Sequence, residues 1–388
     1  MNFDLSEEQK MIRTQVRQIA DGFDLDYWRD RDATKAYPHD FFQAFADAGW
    51  LGIAIPEEYG GAGLGITEAC ILLHEICASG AGTSGGSTIH FSIFPPMPIV
   101  KYGTEEQKKT YLPKIADGSM KLGFSVTEPD AGTDTSRITT FAMRDGDDYI
   151  ISGKKVWSTN LQNADRTLIL VRTSKYEEVE RKMMGMSLFL LDLKSEGITI
   201  REIEKLGRAC VDSNELFLDQ VRVPASDRIG EEGRGFYHLL DGLNPERLLV
   251  GAEAIGIGRA ALDLAVRYAN ERIVFDRPIG KNQGIQFPLA DAYSKLEVAD
   301  LMVQKGAWLY DQGQPCGEEA NIAKLRAAEA GFEACDAALQ THGGMGYAKE
   351  FHVERLWREV RLFRIAPVSQ EMALNYIGQH VLGLPKSY

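Results

Sequence analysis

The apolar residues of this sequence change their spacing twice along the chain, and this change restricts the fold more than any other feature. Up to about residue 120 they recur at the three- and four-residue intervals of amphipathic helices. From about 121 to 225 they form short runs separated by turn residues, and helical spacing returns after Gly235. We therefore predict an α+β protein with a helical domain at 1–120, a strand domain at 121–230 and a second helical domain at 231–388.

Local signals place individual elements within these blocks. Ser6–Gln9 and Thr104–Gln107 each pair a hydroxyl residue with Gln three positions later, which is the capping box that opens a helix. Turn signals at Asp145-Gly146 and Ser152-Gly153 flank a predicted strand at Tyr149–Ile151. Further strands are predicted at Arg166–Arg172, Met186–Asp192 and Glu215–Asp219, and long helices at 236–272, 284–312, 316–342 and 350–382. Close helix packing is expected at Gly251, Gly256 and Gly258.

Composition narrows the class of protein. The 388 residues carry a formal net charge of −13 at pH 7, which argues against nucleic acid or an anionic membrane as a partner. The five cysteines include no C-x-x-C pair and are expected to be reduced, and the seven histidines have no metal-binding spacing. The start of the chain has no signal-peptide pattern, and no apolar run approaches the roughly 20 residues of a membrane span. We expect a soluble, cytoplasmic protein without membrane insertion; the mitochondrial matrix is the alternative for a processed chain.

One loop carries the strongest functional signal. Phe124–Ser136 reads FSVTEPDAGTDTS, a short alternating run that closes in Pro, Gly, Asp and small hydroxyl residues. Little side-chain bulk stands in the way, so backbone amides and hydroxyls can approach a phosphate or a heteroaromatic ring. Alone, the segment is also typical of an ordinary strand that ends in a polar loop. Together with Gly153–Asn160, which reads GKKVWSTN, it resembles the flavin-binding signature of the acyl-CoA dehydrogenase family.

The resemblance extends across essentially the whole chain, because that family has the same order of helices, strands and helices. It implies a β-barrel-like middle domain and a C-terminal four-helix bundle. It also implies an FAD-dependent enzyme that forms a homotetramer, or at least a dimer, in which one subunit contributes to its neighbour's FAD site. The implied substrate is an acyl-CoA, and the implied electron acceptor is an electron-transfer flavoprotein.

Positions that match the family's first motif supply part of the implied FAD site. Trp157 would stack beside the flavin, although a core aromatic between two strands would give the same pattern. Thr159 would hydrogen-bond near the reactive N5 atom of the flavin. Gly132 and Thr133 would lie near the phosphates and the CoA moiety. The isoalloxazine ring would be lined by Phe124, Val126 and Thr127.

Two later segments resemble those that complete the FAD site in the family. In Glu271–Phe275, Arg272 would neutralise the pyrophosphate of the partner's FAD, since a guanidinium can bind two phosphate oxygens at once. Without the resemblance, Arg272 would be interpreted as a solvated helix charge. His342, in a glycine-rich loop, is expected to be packed and not catalytic. The other residues assigned to FAD are Phe275, Gln283, Gln340, Gly343, Gly344 and Ser369.

The catalytic base is missing from its commonest position. Most members carry a glutamate late in the chain, whereas here Pro367 matches that position, or Ala366 if the register slips by one. A minority branch, including isovaleryl- and long-chain-type dehydrogenases, has the glutamate on an earlier helix in a Glu-Arg-Leu context. Gly242–Leu249 matches that context, so Glu246 is the implied base. The neighbouring Asn244 and Arg247 are the implied substrate contacts.

The surroundings of Glu246 and Pro367 affect the implied chemistry. Desolvation beside an acyl chain raises the pKa of a carboxylate, whereas Pro245 predicts that Glu246 lies near a helix N-terminus, which favours the ionised form. In the family, the backbone N–H at the late position helps to polarise the thioester oxygen, and proline has none. The donor would then be absent or supplied by Val368, and its loss would raise the barrier by about 3 kcal/mol.

The implied reaction is removal of the pro-R α-proton of an acyl-CoA by Glu246 while the β-hydride passes to flavin N5, which yields a trans-2-enoyl-CoA in fatty-acid or branched-acyl catabolism. The acyl pocket would lie beside 89–97 and 239–243. Bulky residues there would shorten it and favour a short, medium or branched chain, although core packing explains such residues equally well. Two alternatives remain. An oxidase or a CoA-thioester lyase would explain the absent late glutamate, and a non-enzymatic flavoprotein that binds nucleic acid is disfavoured by the acidic charge.

Overall fold

Helices occupy both ends of the chain in the computed structural model, which describes residues 4–387. Both predicted capping boxes are confirmed, because the hydroxyls of Ser6 and Thr104 accept hydrogen bonds from the backbone N–H groups of Gln9 and Gln107. The N-terminal helices are α1 (Glu7–Ala20), α2 (Leu25–Thr34), α3 (His39–Asp47), α4 (Ile66–Ile76), α5 (Gly82–His90), α6 (Met97–Tyr102) and α7 (Glu105–Ala116).

The middle block is an eight-stranded sheet. Its neighbour order is β6-β7-β3-β1-β4-β5-β8, and β1 and β2 lie end to end between β3 and β4. One core of the domain is built mainly from the strands themselves and includes Tyr149, Val171 and Leu216. The strands are β1 (Leu122–Ser125), β2 (Phe141–Asp145), β3 (Asp148–Thr159), β4 (Arg166–Arg172), β5 (Met186–Asp192), β6 (Ile198–Glu202), β7 (Ser213–Pro224) and β8 (Arg228–Ile229).

The sequence predicted these strands well, with one error at a glycine. The turn at Gly146 is confirmed, since β2 and β3 form a hairpin there. The turn at Ser152-Gly153 is wrong: β3 continues through Gly153, where its register against β7 shifts and φ is 146°. A glycine inside a strand is also typical of a β-bulge, and a side chain at Gly153 would collide with Thr140.

Three long helices form the C-terminal block, close to their predicted positions. They are α8 (Gly235–Glu271), α9 (Gln283–Asp311) and α10 (Gly317–His342), and a small hairpin of β9 (Ile273–Val274) and β10 (Arg277–Pro278) joins the first two. Gly256 and Gly258 permit close packing as predicted, since an added Cβ would lie 2.4 Å from the carbonyl oxygen of His74 and 3.1 Å from Cα of Gly331. These helices share one core with α1, α3 and α4.

The predicted fourth long helix at 350–382 is wrong. It is replaced by α11 (Val353–Val360), a short 3₁₀ turn, a non-helical segment around Pro367 and α12 (Gln370–Tyr376). Proline disfavours helix continuation because it lacks an N–H group and its ring clashes with the preceding turn. The hydroxyl of Ser369 then caps the new helix by accepting from the N–H of Met372.

Two further findings concern the described residues, 4–387. All five cysteines are buried and free. No helix among those residues is both long and apolar enough to cross a membrane.

Candidate functional site

Strand pairing brings together the residues of the first predicted motif. Phe124 of β1 lies opposite Thr159 of β3, and the carbonyl of Thr127 accepts a hydrogen bond of 2.9 Å from the N–H of Val156. Val126 is half-buried between Phe124 and Thr127. The loop beyond remains open to a ligand, because a methyl group on the exposed Gly132 would meet no atom within 4 Å. Thr133 is exposed beside it.

Trp157 lies at an irregularity in β3. The register against β7 shifts between Lys155 and Ser158, and Trp157 has a φ of 59°, which is rare for a bulky residue. Its side chain is 56% exposed, so the alternative that it is a core aromatic is wrong. An exposed indole beside Thr127 presents a flat face on which a ring can stack.

A buried ion pair that sequence analysis missed anchors the loop. Lys155 Nζ lies 2.8 Å from Glu128 Oε1 and donates to the carbonyl of Val126 at 3.0 Å. Glu128 also accepts from the backbone N–H groups of Thr139 and Thr140. Burial lowers the pKa of Lys155 to about 8, despite Glu128. Burial opposes ionisation of Glu128 too, but Lys155 and these donors hold its pKa below the ordinary value.

We expect Glu128→Gln to lower the free energy of unfolding by about 3 kcal/mol, because it leaves the Lys155 ammonium buried without a counter-charge. Equilibrium urea unfolding measures this loss. Glu178→Gln is the matched control, since Glu178 and Lys175 are exposed and their 3.8 Å ion pair should contribute less than about 1 kcal/mol. Equal, small losses in the two variants would contradict the anchoring role of Glu128.

The paired ends of β1 and β3 at Phe124 and Thr159 are called the strand edge below. A second missed residue, Arg208, joins this strand edge to α5. Its guanidinium lies 3.4 Å from the hydroxyl of Thr159 and 3.3 Å from that of Ser87. Burial lowers the pKa of Arg208. Its Nε atom has no partner among the described residues, and neither do Ser158 Oγ and Asn160 Oδ1 on either side of Thr159. Buried polar atoms without partners are uncommon, so this edge suits a polar heteroaromatic ligand.

Glu246 lies inside a helix and is buried. Because α8 begins at Gly235, the prediction that Pro245 opens a helix is wrong, and the proximity to a helix N-terminus is lost. Glu246 is only 7% exposed, and its Oε2 lies 2.6 Å from Nε2 of His90. Nδ1 of the same ring lies 3.0 Å from Oε1 of Glu253.

An aromatic contact connects the position of Glu246 to the strand edge. Gly242, one helical turn before Glu246, lies against Phe94, since an added Cβ would be 3.4 Å from that ring. The Phe94 ring in turn meets Phe124 edge to face, with centroids 5.0 Å apart. The Phe94 ring therefore joins the predicted flavin-lining strand to α8 one turn before the candidate base.

The late segment provides a backbone donor close to two buried cations. Arg247 donates to Asn244 at 3.0 Å, while its Nε has no partner in the described chain, and burial lowers its pKa. Burial also lowers the pKa of Lys324, to about 8, and its ammonium donates to the carbonyl of Val368. The N–H of Val368 has no acceptor within residues 4–387. It follows Pro367, so the structure offers a free N–H one residue after the proline.

The remaining predicted FAD residues lie at the other end of α8. Arg272 follows its last residue, and the tip of the β9–β10 hairpin consists of Phe275 and Asp276, both with positive φ. Phe275 is 94% exposed. His342 is packed as predicted, with its ring stacked on Tyr268 at 4.3 Å, which places its loop beside the hairpin. The exposed members of this group are Arg272, Gln283, Gln340, Gly343 and Gly344.

A cavity of about 380 Å³ lies beside Gly242, the residue that also meets the Phe94 ring. Ile93, which precedes Phe94 in the chain, and Met97, the first residue of α6, line it together with Gly242 of α8. Tyr102, Asp241 and other polar side chains lie around it. Phe94, Phe124 and Glu246 are not among its lining residues.

The chain is similar to known proteins along nearly its whole length. Models of the acyl-CoA dehydrogenase N-terminal, middle and C-terminal domains match residues 6–119, 123–221 and 233–382. The acyl-CoA dehydrogenase fadE12 of Mycobacterium bovis is 40% identical over 99% of this chain and 98% of that protein. The caffeyl-CoA reductase-Etf complex subunit CarC of Acetobacterium woodii is 35% identical over 93% of this chain and 94% of that protein.

A solved structure agrees with these matches. Butyryl-CoA dehydrogenase from Megasphaera elsdenii superimposes with a TM-score of 0.93 and is 30% identical, over 98% of this chain and all of that one. The predicted fold class is thereby confirmed, from the helical N-terminal domain through the β domain to the helical C-terminal domain. The chain belongs to the acyl-CoA dehydrogenase family of FAD-binding oxidoreductases.

Proposed function

We propose that this protein dehydrogenates an acyl-CoA between Cα and Cβ to a trans-2-enoyl-CoA, with Glu246 as the base. The observation that carries this proposal is the burial of a carboxylate on α8 one turn from Gly242, where Phe94 bridges to Phe124. A carboxylate beside an apolar chain and away from water is suited to removing a weakly acidic proton. When bound, FAD supplies the acceptor of the β-hydride, its N5 atom.

The proposed FAD ring site is the strand edge. Phe124, Val126 and Thr127 would line the ring, and Trp157 would stack beside it. Thr159 would hydrogen-bond near N5, and the unpartnered polar atoms next to Thr159 support a polar ligand there. The open loop at Gly132 and Thr133 would approach the phosphates and the CoA moiety. Ser369 would also contact FAD. Its hydroxyl already accepts a hydrogen bond as the cap of α12, so only its O–H donor and its second lone pair are available to FAD.

Residues near Glu246 would hold the thioester. Asn244 and Arg247 are joined by a hydrogen bond on the same turn of α8, and the unpartnered Nε of Arg247 can bind a polar group of the substrate. The free N–H of Val368 is the proposed donor to the thioester oxygen, in place of the N–H that Pro367 lacks. Lys324 donates to the carbonyl of Val368 and thereby holds this residue in place.

The proposed assembly is a homotetramer, and at least a dimer. Arg272 is 26 residues after Glu246 on a straight helix, so the two lie about 39 Å apart, which exceeds the length of an extended dinucleotide. Arg272, Phe275 and Gln283 would therefore serve the FAD of a second copy, together with the loop carrying Gln340, Gly343 and Gly344. Apolar side chains left exposed on α9 support such an interface: Phe287, Val298, Leu301 and Trp308.

The proposed electron acceptor is an electron-transfer flavoprotein, and the similarity to a reductase-Etf complex subunit supports it. The same similarity favours a second candidate, reduction of an enoyl-CoA, in which the acid form of Glu246 would return the proton to Cα. Both directions use the same side chains, and the direction depends on the redox partner. We place the dehydrogenation in fatty-acid or branched-acyl catabolism.

We expect anaerobic flavin reduction to be fastest with short or branched acyl-CoAs. Phe94 is 5% exposed and fills the space between Phe124 and Gly242, so it limits the acyl chain. In Phe94→Ala, the preference should move to longer chains, because the substitution empties the space that the ring fills. Stopped-flow absorbance across a series of acyl-CoAs measures the preference, and mass spectrometry identifies the product.

Each other outcome of this screen has a definite meaning. Reoxidation of the reduced flavin by enoyl-CoAs, without reduction by any acyl-CoA, would favour the reductase. Rapid oxygen consumption during turnover would indicate an oxidase, and a product that has lost carbon or its CoA would indicate a lyase. An unchanged chain-length preference in Phe94→Ala would contradict the role of Phe94.

A further inference from the structure

A histidine lies between two buried carboxylates where α5 meets α8. His90 is the last residue of α5, and Glu246 and Glu253 are seven residues, or two turns, apart on one face of α8. The ring nitrogens of His90 lie 2.6 Å from Glu246 and 3.0 Å from Glu253. The exposed fractions of His90, Glu246 and Glu253 are 6%, 7% and 1%, so water competes little for these contacts.

The two contacts together determine the protonation of His90. A neutral imidazole has one N–H and could donate to only one of the carboxylates, whereas the imidazolium donates to both. Burial by itself would lower the pKa of His90, but the charges of Glu246 and Glu253 outweigh it and raise the pKa to about 10. His90 is therefore a cation at neutral pH.

In the described part of the chain, the other charged groups nearby do not pair with His90, whose ring contacts only the two glutamates among them. From the other elements packed against α5, Arg208 and Cys77 lie near Glu253, and Arg355 and Glu359 pair with each other. Arg247 lies near Glu246 on α8 itself. Gly86, one turn before His90, allows the close approach, since a side chain there would meet Glu253 Oε1 at 3.0 Å.

We infer that His90 is a positioning residue for the proposed base: with Glu253 on its other side, its ring fixes the carboxylate of Glu246 and places a positive charge beside it. This inference rests on the proposed function. Glu253 contacts the opposite nitrogen of the ring and acts by holding it. His90 thus gives the buried carboxylate of Glu246 a partner of opposite charge.

The test is the pH dependence of anaerobic flavin reduction by an acyl-CoA in the FAD-loaded protein. A carboxylate that acts as a base loses its activity at low pH, so the rate should fall there. In His90→Gln, which keeps a neutral donor but loses the charge, this fall should move upward by about one pH unit. In Glu253→Gln, the imidazolium remains and a nearby negative charge is removed, so the fall should move to lower pH. A merely structural role would not produce shifts of opposite sign.

Controls separate this inference from the function on which it rests. His74→Gln removes another histidine paired with a glutamate, Nδ1 to Oε1 at 3.1 Å, and should not move the profile. If His90→Gln and Glu253→Gln only lower the rate at every pH, the inference is wrong while the assignment of Glu246 survives. Full activity of Glu246→Gln would instead overturn the proposed base. If His90→Gln does not fold, the direction of the shift in Glu253→Gln decides.

Discussion

Replacing Glu246 by Gln should slow flavin reduction by acyl-CoA about 10²- to 10⁴-fold, the usual contribution of a general base. The amide has nearly the same shape as the carboxylate, and its oxygen can still accept from His90, so packing changes little. It cannot accept the α-proton, however. The loss should therefore appear in the limiting rate of reduction and not in the concentration of acyl-CoA needed for half-saturation, both measured by anaerobic stopped-flow absorbance.

A control on the same helix makes this result specific. Asp263 is an exposed residue of α8, and Asp263→Asn should leave the rate within about twofold of wild type, as surface substitutions usually do. Flavin content and substrate-induced spectral changes should match wild type in both variants. Reduction of Glu246→Gln at the wild-type rate would show that another group removes the proton.

The sequence predicted those parts of the fold that depend on local physics. The capping boxes at Ser6 and Thr104 and the strand at Arg166–Arg172 are confirmed because each depends on residues only a few positions apart. The error at Gly153 arose because glycine serves both turns and bulges, and only pairing with β7 distinguishes them. The error at 350–382 came from extending helical spacing through Pro367.

The residues of the candidate site also fall into those that the sequence predicted and those that it missed. The loop at Phe124–Ser136 was found because its composition permits a close approach to a ligand and because, together with Gly153–Asn160, it resembles the flavin-binding signature of the family. His90 and Arg208 were missed because their roles depend on partners far away in sequence: Glu246 is 156 residues after His90, and Thr159 is 49 residues before Arg208. The pair of Glu128 and Lys155 had a weak signal, a lysine within an otherwise strand-like run, whose burial only the fold reveals.

Arg272→Gln should weaken FAD retention by about 2 kcal/mol, or roughly 30-fold, if its guanidinium bonds the pyrophosphate of a second subunit. Arg272 is exposed, so little loss of monomer stability should accompany the substitution. FAD titration of the apoprotein measures the affinity. Arg267→Gln is the control, since Arg267 is an exposed residue of the same helix one turn earlier. Equal affinities for the two variants would contradict the assignment.

Whether Arg272 acts on its own subunit or on another can be decided with hybrid dimers of Glu246→Gln and Arg272→Gln chains, purified through two different tags. If Arg272 serves the neighbour, one site of each hybrid combines both defects and the other combines neither. The hybrid should then regain about half of the wild-type sites, with wild-type FAD affinity at those sites. If Arg272 serves its own subunit, every site keeps one defect, and the sites that keep Glu246 bind FAD only with the weakened affinity of Arg272→Gln. The distance of about 39 Å along α8 from Glu246 to Arg272 favours the first result, because a single FAD cannot span it.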